Sequence, residues 1–162
     1  MMAPQRTLLL FRHAKSDWST DQPDERRPLS RRGRRDAPAA GRWLVECAPA
    51  LDLVLCSTAK RARETWALAT AVLDPTPPVR YEDQLYDATA EEVLAVVQAL
   101  PDEAGTVVLV AHNPGLSDLA RLLTGELREL KTSSIAVLTW SGSWSDAAPG
   151  HAVEVAFATS RG

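Results

Sequence analysis

Uninterrupted apolar runs alternate along the chain with amphipathic stretches, and this alternation predicts strands followed by helices. The runs at 7–11, 51–56 and 106–111 have the character of strands that are covered on both faces of a parallel sheet. Capping and proline signals mark the starts of several helices. The predicted strands lie at about 6–12, 51–56, 79–82, 106–111, 134–140 and 152–159, and the predicted helices at about 31–47, 90–100 and 114–124, with a further helix that ends near 73.

The order of these elements predicts an α/β fold with three layers, α/β/α, around a mostly parallel central sheet. Strands that alternate with helices join in parallel, because each helical crossover returns the chain to the same end of the sheet. With 162 residues the chain has room for one hydrophobic core, so we expect a single domain over 1–162. Its 45% hydrophobic and 24% charged residues are ordinary for a globular protein.

Charge and hydropathy argue against two classes of function. A net charge of −3 and a pI near 5.6 disfavour a nucleic-acid-binding protein that works through bulk positive charge. No apolar run approaches the roughly 20 residues that span a bilayer, so we expect no membrane association. Cys47 and Cys56 match no metal-ligand spacing, and we expect reduced thiols and a cytoplasmic location.

The three most apolar strands each end in residues that suit phosphate chemistry. Arg12-His13 follows the first, a segment from Ser57 to Arg61 follows the second, and His112 follows the third. Ligands of open α/β sheets bind beyond the carboxyl ends of the strands, so we expect these groups to meet. Arginine grips phosphate oxygens and imidazole is a nucleophile. The pattern therefore predicts phosphoryl transfer, in which His13 attacks phosphorus and water then releases phosphate.

The start of the helix after the second strand is a candidate anion site. Its first N–H groups lack partners within the helix, and the helix dipole adds positive charge there. Ser57 or Thr58 is expected to cap this helix, and Ser57 is a candidate substrate-binding residue. Either Arg61 or Arg63 is expected to face the pocket, because the two project in different directions. No metal-ligand pattern or glycine-rich phosphate loop accompanies them, so no metal or cofactor is expected.

Two charged clusters have both a structural and a functional interpretation. Glu82, Asp83 and Asp87 suit a solvated loop before a helix, and they are also candidates for a general acid. Six arginines fall between Arg26 and Arg35. They are best explained as a solvated helix face. The functional alternatives are attraction of a phosphate, an acidic partner or a nucleic acid, and the lack of interleaved aromatic residues disfavours the last of these.

The chain resembles the histidine phosphatase superfamily, which has a phosphoglycerate mutase-like fold. The matching stretches are LLLFRHAKSDW, RRPLSRRGRRDA, LCSTAKRARETW and VVLVAHNPGLSDLARLLTG, in the family's order. Within the superfamily, the similarity is closest to the SixA-type phosphohistidine phosphatases. Ala14 stands where the Arg-His-Gly signature has glycine, a small departure.

This resemblance implies a role for each matching residue. His13 aligns with the phosphorylated nucleophile of the family and Arg12 with its phosphate-binding partner. Arg61 aligns with the second phosphate-binding arginine. His112 aligns with the histidine that stabilises the transferring phosphoryl group. Arg27 aligns with a further pocket arginine of SixA-type proteins.

The resemblance also implies an activity, the hydrolysis of phosphohistidine on a protein. The short chain leaves little sequence for a lid, which suits a side chain presented on a protein surface. SixA-type enzymes lack an obvious general acid, and a phosphohistidine nitrogen leaves more easily than an alcohol. Two alternatives stay open: a phosphomonoesterase that acts on a small sugar or nucleotide phosphate, and a non-catalytic phosphate-binding module. The sequence does not indicate an oligomeric state.

Overall fold

A computed structural model describes residues 3–162, which form one six-stranded sheet with four helices. The strand order across the sheet is β3-β2-β4-β1-β5-β6. The first four strands are parallel, whereas β5 runs antiparallel to β1 and β6 antiparallel to β5. In chain order the elements are β1 Gln5–Arg12, α1 Arg31–Cys47, β2 Leu53–Ser57, α2 Lys60–Thr70, β3 Val79–Glu82, α3 Ala90–Gln98, β4 Thr106–Ala111, α4 Gly115–Thr124, β5 Ser134–Ser141 and β6 Val153–Thr159.

Helices cover both faces of the sheet, which confirms the predicted three-layer fold. Side chains alternate between the faces of a strand, so Leu8 and Leu10 of β1 pack in the cluster that contains α3 and α4. Leu9 and Phe11 lie in the opposite cluster, with the apolar residues of α1 and α2. Both sets are fully buried. The uninterrupted apolar runs of the sequence therefore reflect burial on both faces.

Several details differ from the sequence-based expectations. The helix expected to end near 73 ends at Thr70. That helix has Ala59 at its N-cap and no side-chain cap, so the predicted capping by Ser57 or Thr58 is wrong. The Ser57 hydroxyl is instead engaged with His112, as described below. Ser30 does cap α1, accepting a hydrogen bond from the Gly33 amide at 3.1 Å.

The parallel strands end at the same edge of the sheet and thereby place the candidate residues together. Arg12 at the end of β1 pairs with Ala111 at the end of β4, and His13 and His112 follow directly. The backbone amide of His13 extends this pairing by donating to the Ala111 carbonyl at 3.1 Å. Ser57 closes β2 beside them. The convergence of three strand ends follows from this register.

A segment of residues 16–29 crosses the same edge, and we call it the strap. Its two ends meet in an antiparallel bridge between Ser16 and Leu29, and a 3-10 helix at Asp24–Arg26 lies within it. The first turn of α1 follows directly and packs against the backbone of Lys15, where Gly33 leaves no room for a Cβ atom. Across residues 3–162, no helix combines the length and apolarity needed to cross a bilayer.

Candidate active site

An open cavity of about 320 Å³ lies at this edge, between the strand ends and the strap. All five residues to which the family resemblance gives a role in phosphate binding or transfer line this cavity. The lining residues are Arg12, His13, Lys15, Ser16, Trp18, Asp24, Arg27, Arg61, His112, Asn113 and Thr132. The structure therefore brings the predicted set together in one place.

His13 is held as a neutral imidazole with one free ring nitrogen. Its Nδ1 lies 2.7 Å from the Ala14 carbonyl oxygen, and since a carbonyl only accepts, Nδ1 carries the proton and donates. The Nε2 atom is left with a lone pair. Burial is the largest cause that lowers the pKa of His13 to about 3, and the proximity of His112 and of the Arg61 and Arg12 charges contributes to the same shift. At neutral pH the side chain is therefore an uncharged nucleophile.

His112 lies against His13, with 5.1 Å between the ring centroids. Its Nε2 atom lies 2.7 Å from the Ser57 hydroxyl. Ser57 Oγ also accepts the Ala59 amide at 3.2 Å, and Nε2 is its one acceptor among residues 3–162. The hydroxyl therefore donates to Nε2, and the proton of the neutral ring resides on Nδ1. Burial, followed by the charge of Arg61, lowers the pKa of His112 to about 4.

Arg12 is anchored to the backbone at one end of its guanidinium. Its Nη1 atom donates to the Leu130 carbonyl at 2.9 Å, and Asn113 Nδ2 donates to the same oxygen at 2.7 Å. The Nε–H group of Arg12 is buried without a partner. A donor that is fixed in this way needs little reorganisation when it binds an anion.

Arg61 rather than Arg63 faces the cavity, as the family resemblance implied. The Arg61 side chain is buried in the first turn of α2, whereas Arg63 is exposed. The hydroxyl of Thr65, one turn later, donates to the Arg61 carbonyl at 2.7 Å and accepts the Ala14 amide at 2.9 Å. The loop of the nucleophile and the helix of Arg61 are therefore tied together through one side chain.

Arg27 enters the site from the strap and is 6% exposed. Its Nη1 atom donates to the Ser16 hydroxyl at 2.6 Å, and its Nε atom donates to Asp24 at 3.1 Å. The guanidinium carbon lies 3.5 Å from the centre of the Trp18 ring, which is itself 74% exposed. The predicted pocket position of Arg27 agrees with this geometry.

Asp24 is the site residue that the sequence analysis missed. Its carboxylate accepts from Arg61 Nη2 at 3.0 Å, from Arg27 Nε at 3.1 Å and from the Tyr86 hydroxyl at 2.6 Å. These contacts, the Tyr86 hydrogen bond foremost, lower the pKa of Asp24 to about 2. The same hydrogen bond raises the pKa of Tyr86 to about 12. In the sequence, Asp24 is one of several acidic residues in a polar loop. Its position three residues before Arg27 is the one feature that could have indicated a role in the site.

The loop after β3 reaches the site through Tyr86 and not through its acidic residues. Glu82, Asp83 and Asp87, the general-acid candidates, do not line the cavity. Asp83 and Asp87 are exposed to solvent, whereas the Tyr86 ring lies edge-on to His112, with centroids 5.7 Å apart. The general-acid role therefore gains no support for any of the three.

Ser57 was predicted to bind substrate, but it is fully buried behind His112 and absent from the cavity lining. Its contacts make it a support for the His112 ring. No group of three histidine, cysteine, aspartate or glutamate side chains in the described part of the chain is arranged to hold a metal ion.

Three buried nitrogen atoms in the site have no hydrogen-bond partner within residues 3–162: Arg12 Nε, Arg61 Nε and His112 Nδ1. Buried donors of this kind are costly unless something accepts from them. Three guanidinium groups face one carboxylate, so the cavity has an excess of positive charge. The site is therefore suited to a doubly charged oxyanion placed beside His13.

Comparison with known sequences gives a family for the chain. The profile of the histidine phosphatase superfamily (branch 1) matches residues 8–93. The uncharacterized protein Rv1276c of Mycobacterium tuberculosis is 40% identical over 158 residues, which cover 91% of this chain and 98% of that protein. The uncharacterized chloroplastic protein At3g52155 of Arabidopsis thaliana is 32% identical over 154 residues, covering 88% of this chain and 70% of that protein.

Solved structures resemble the fold over nearly its whole length. A Nakamurella multipartitia protein that carries the provisional name phosphohistidine phosphatase SixA has a TM-score of 0.88 and 35% identity, and the match covers 99% of each chain. The protein histidine phosphatase SixA in complex with tungstate has a TM-score of 0.81 and 23% identity, with 94% of this chain and 96% of that chain covered. These matches confirm the predicted phosphoglycerate mutase-like fold.

Proposed function

Because the chain belongs to the histidine phosphatase superfamily, we propose that it is a phosphohistidine phosphatase, which hydrolyses phosphohistidine on proteins through a covalent phospho-His13 intermediate. The observation that carries the proposal is the set of unpartnered buried donors on Arg12, Arg61 and His112 around a neutral His13. A nucleophile without a proton and donors without acceptors are what transfer of a phosphoryl group requires.

In the first step, the lone pair of His13 Nε2 forms a bond to phosphorus while the bond from phosphorus to the substrate nitrogen breaks. The leaving nitrogen takes the bonding electron pair, and a substrate ring that is protonated on its other nitrogen departs as neutral imidazole. Negative charge spreads over the equatorial oxygens of the phosphoryl group in the transition state. Arg12, Arg61 and the Nδ1–H group of His112 donate to these oxygens.

In the second step, a water oxygen attacks phosphorus from the side that the product imidazole has left. The bond between phosphorus and His13 Nε2 breaks, and its electron pair returns to the ring. Inorganic phosphate forms and keeps one proton of the water, and the second proton either stays on the phosphate or passes to solvent. The hydrogen bond from Nδ1 to the Ala14 carbonyl keeps the ring in the same tautomer throughout.

The protonation states of the acidic groups at the cavity favour phosphoramidates over phosphate esters as substrates. An alkoxide leaving group needs a proton, and the carboxylate that lines the cavity, Asp24, is ionised because its pKa is about 2. The Tyr86 hydroxyl donates to Asp24 and has its pKa raised to about 12, so it is a poor acid as well. An imidazole leaves without such help. The Nakamurella protein named for this activity, at 35% identity, supports the same choice.

The test measures phosphate release from a protein phosphorylated on histidine and from a matched phosphoserine peptide, with wild type and His13→Ala. We expect release from the phosphohistidine protein by wild type, no release by His13→Ala, and much slower turnover of phosphoserine. When the reaction is quenched rapidly at alkaline pH, we expect a covalently bound phosphoryl group on the wild-type enzyme and none on His13→Ala. Equal turnover of the phosphoserine peptide, or release that survives His13→Ala, would overturn the proposal.

A further inference from the structure

A second basic surface lies on the outer side of the strap, next to the catalytic cavity. Two adjoining hollows, of about 490 and about 550 Å³, share Lys60 and Arg63 in their walls. Arg26 lines the first hollow and Tyr81, which is 52% exposed, lines the second. We call this surface, formed by Arg26, Lys60, Arg63 and Tyr81, the outer basic groove.

The cations of the groove carry uncompensated charge. Arg26, Lys60 and Arg63 are exposed, and none of them forms an ion pair or a side-chain hydrogen bond with another residue between 3 and 162. The one acidic residue in its walls, Glu64, is already engaged by Arg34 at 3.3 Å and by the Leu29 amide at 2.9 Å. A positive surface on a chain of net charge −3 is a local feature and not a consequence of composition.

Neighbouring residues divide between the groove and the catalytic cavity. On the strap, Arg27 turns into the cavity while Arg26 lines the groove. On α2, Arg61 turns into the cavity while Arg63 lines the groove. The groove and the cavity therefore share the strap and helix α2 as walls. A protein segment that occupies the groove can place a side chain of the same protein in the cavity.

We propose that the outer basic groove docks an acidic segment of the phosphoprotein substrate, next to the phosphohistidine that enters the cavity. This inference rests on the proposed function and deepens it by naming the kind of substrate surface. Arginines bind carboxylates through paired donors, and complementary charge raises the rate of encounter between proteins. A nucleic acid fits less well, because Tyr81 is the one aromatic side chain of the groove and nucleic-acid grooves stack successive bases.

The test compares two phosphohistidine peptides, one flanked by several glutamates and one by glutamines, together with free phosphoramidate as a small substrate. The groove variant is Arg26→Ala/Arg63→Ala. The control is Arg42→Ala/Arg121→Ala, which removes the same charge from exposed positions on α1 and α4 that line neither hollow. Circular dichroism and thermal melting verify that both variants fold like wild type.

We expect the groove variant to lose about tenfold in kcat/KM on the glutamate peptide, which is the order of effect that electrostatic steering supplies. Its activity on phosphoramidate and on the glutamine peptide stays within about twofold of wild type, and the control variant keeps the glutamate preference. For wild type, that preference shrinks as salt is added, because exposed charges are screened.

Four outcomes would overturn the docking proposal. They are an unchanged preference in the groove variant, an equal loss on all three substrates, a preference in wild type for the glutamine peptide, and a variant that loses only affinity for single-stranded DNA. Each leaves the proposed function standing as long as wild type releases phosphate from the peptides. Failure of wild type on every phosphoramidate would instead reject the proposed function.

Discussion

The Arg61 guanidinium and Asp24 are joined by two hydrogen bonds, one to the carboxylate at 3.0 Å and one to the backbone carbonyl at 2.7 Å. The same carboxylate accepts from Arg27 at 3.1 Å. Two guanidinium groups that converge on one cavity repel each other, and Asp24 compensates this repulsion from the strap. The strap thus contributes both an arginine that lines the cavity and the carboxylate that pairs with it.

Replacement of Asp24 by asparagine is expected to lower kcat/KM for phosphohistidine by about tenfold. Asparagine keeps one acceptor but loses the charge, so Arg27 and Arg61 separate and their donors leave the positions that the phosphoryl oxygens need. The loss is smaller than the 10²–10³ that removal of a whole donor typically costs. Asp17→Asn is the matched control, because Asp17 lies on the same strap and, within residues 3–162, its carboxylate accepts hydrogen bonds from Ser19 alone.

An increase in kcat/KM for Asp24→Asn, with Asp17→Asn unchanged, would contradict this role of Asp24. If Asp24→Asn raised kcat/KM and bound inorganic phosphate more tightly, the carboxylate would compete with the substrate for the two arginines instead of holding them in place. Steady-state kinetics on phosphohistidine and phosphate inhibition constants for both variants distinguish the two roles.

Sequence patterns predicted the strands and the residues that follow them, for a physical reason. Parallel strands buried on both faces are long apolar runs, and residues that follow such runs share one sheet edge. Arg12, His13 and His112 could therefore be placed without a structure. The choice of Arg61 over Arg63 came from the family resemblance, and the structure agrees with it.

The strap and the Ser57 contact could not be predicted in the same way. A polar loop has no hydrophobic period, so nothing in its sequence shows that Asp24 folds back over the strand ends. Ser57 was assigned to substrate because helix starts bind anions, but helix α2 begins three residues later and the hydroxyl turns to His112. Both features depend on tertiary contacts between segments that are distant along the chain.

Gly33 is expected to be essential for the position of the nucleophile loop. Gly33→Ala adds a Cβ atom that overlaps the Lys15 carbonyl oxygen, two residues after His13. Alanine favours helices by about 1 kcal/mol over glycine, but forced contacts in packed regions typically cost about 1–3 kcal/mol. The added Cβ atom would lie between the backbone of α1 and that of Lys15, which can move little, so the cost is expected at the upper end of this range. After the gain in helix propensity, we expect a net loss of about 2 kcal/mol in unfolding free energy, with lower activity.

Urea unfolding of Gly33→Ala and of a control, Gly105→Ala, measures this effect. A Cβ at Gly105 would lie 3.5 Å from Asp52 Oδ2, an ordinary contact. We expect the control to unfold within about 0.5 kcal/mol of wild type. Equal stability of the two variants would contradict the close packing of α1 against the Lys15 backbone.

The buried histidines are expected to make the protein less stable as the pH falls below about 6.5. His13 and His112 have folded-state pKa values of about 3 and about 4, below the 6.5 of an unfolded histidine. As the pH falls from 6.5 towards these folded-state values, the unfolded chain takes up protons that the folded chain does not. The free energy of unfolding therefore decreases as the pH falls. Asp24, with its pKa lowered to about 2 from 3.8, adds a loss only below about pH 4.

Urea midpoints for wild type at about pH 7 and about pH 5 test this dependence. His13→Asn removes one of the two groups and is expected to show a smaller decrease over the same interval, while Asp24→Asn behaves like wild type there. A decrease that is identical in wild type and His13→Asn would show that His13 titrates normally in the folded protein.

Ser57 is expected to act on catalysis through His112 and not through substrate binding. Its hydroxyl donates to His112 Nε2 at 2.7 Å, which places the ring proton on Nδ1. In Ser57→Ala the ring is free to shift its proton to Nε2, and the Nδ1 donor to the phosphoryl oxygen is then lost in part of the molecules. We therefore expect kcat to fall about tenfold or more while KM changes little, because the lost interaction is strongest in the transition state.

Nitrogen NMR of the histidine rings separates this positioning role from a merely structural one. Wild type is expected to show His112 as the Nδ1–H tautomer at neutral pH, and Ser57→Ala a mixture of both tautomers. The control is Ser117→Ala: Ser117 is buried in α4 and bonded to Asn113, so it lies close to His112 without touching its ring nitrogens. If Ser57→Ala left the tautomer unchanged but still lowered kcat, Ser57 would act through packing at the end of β2 and not through the His112 proton.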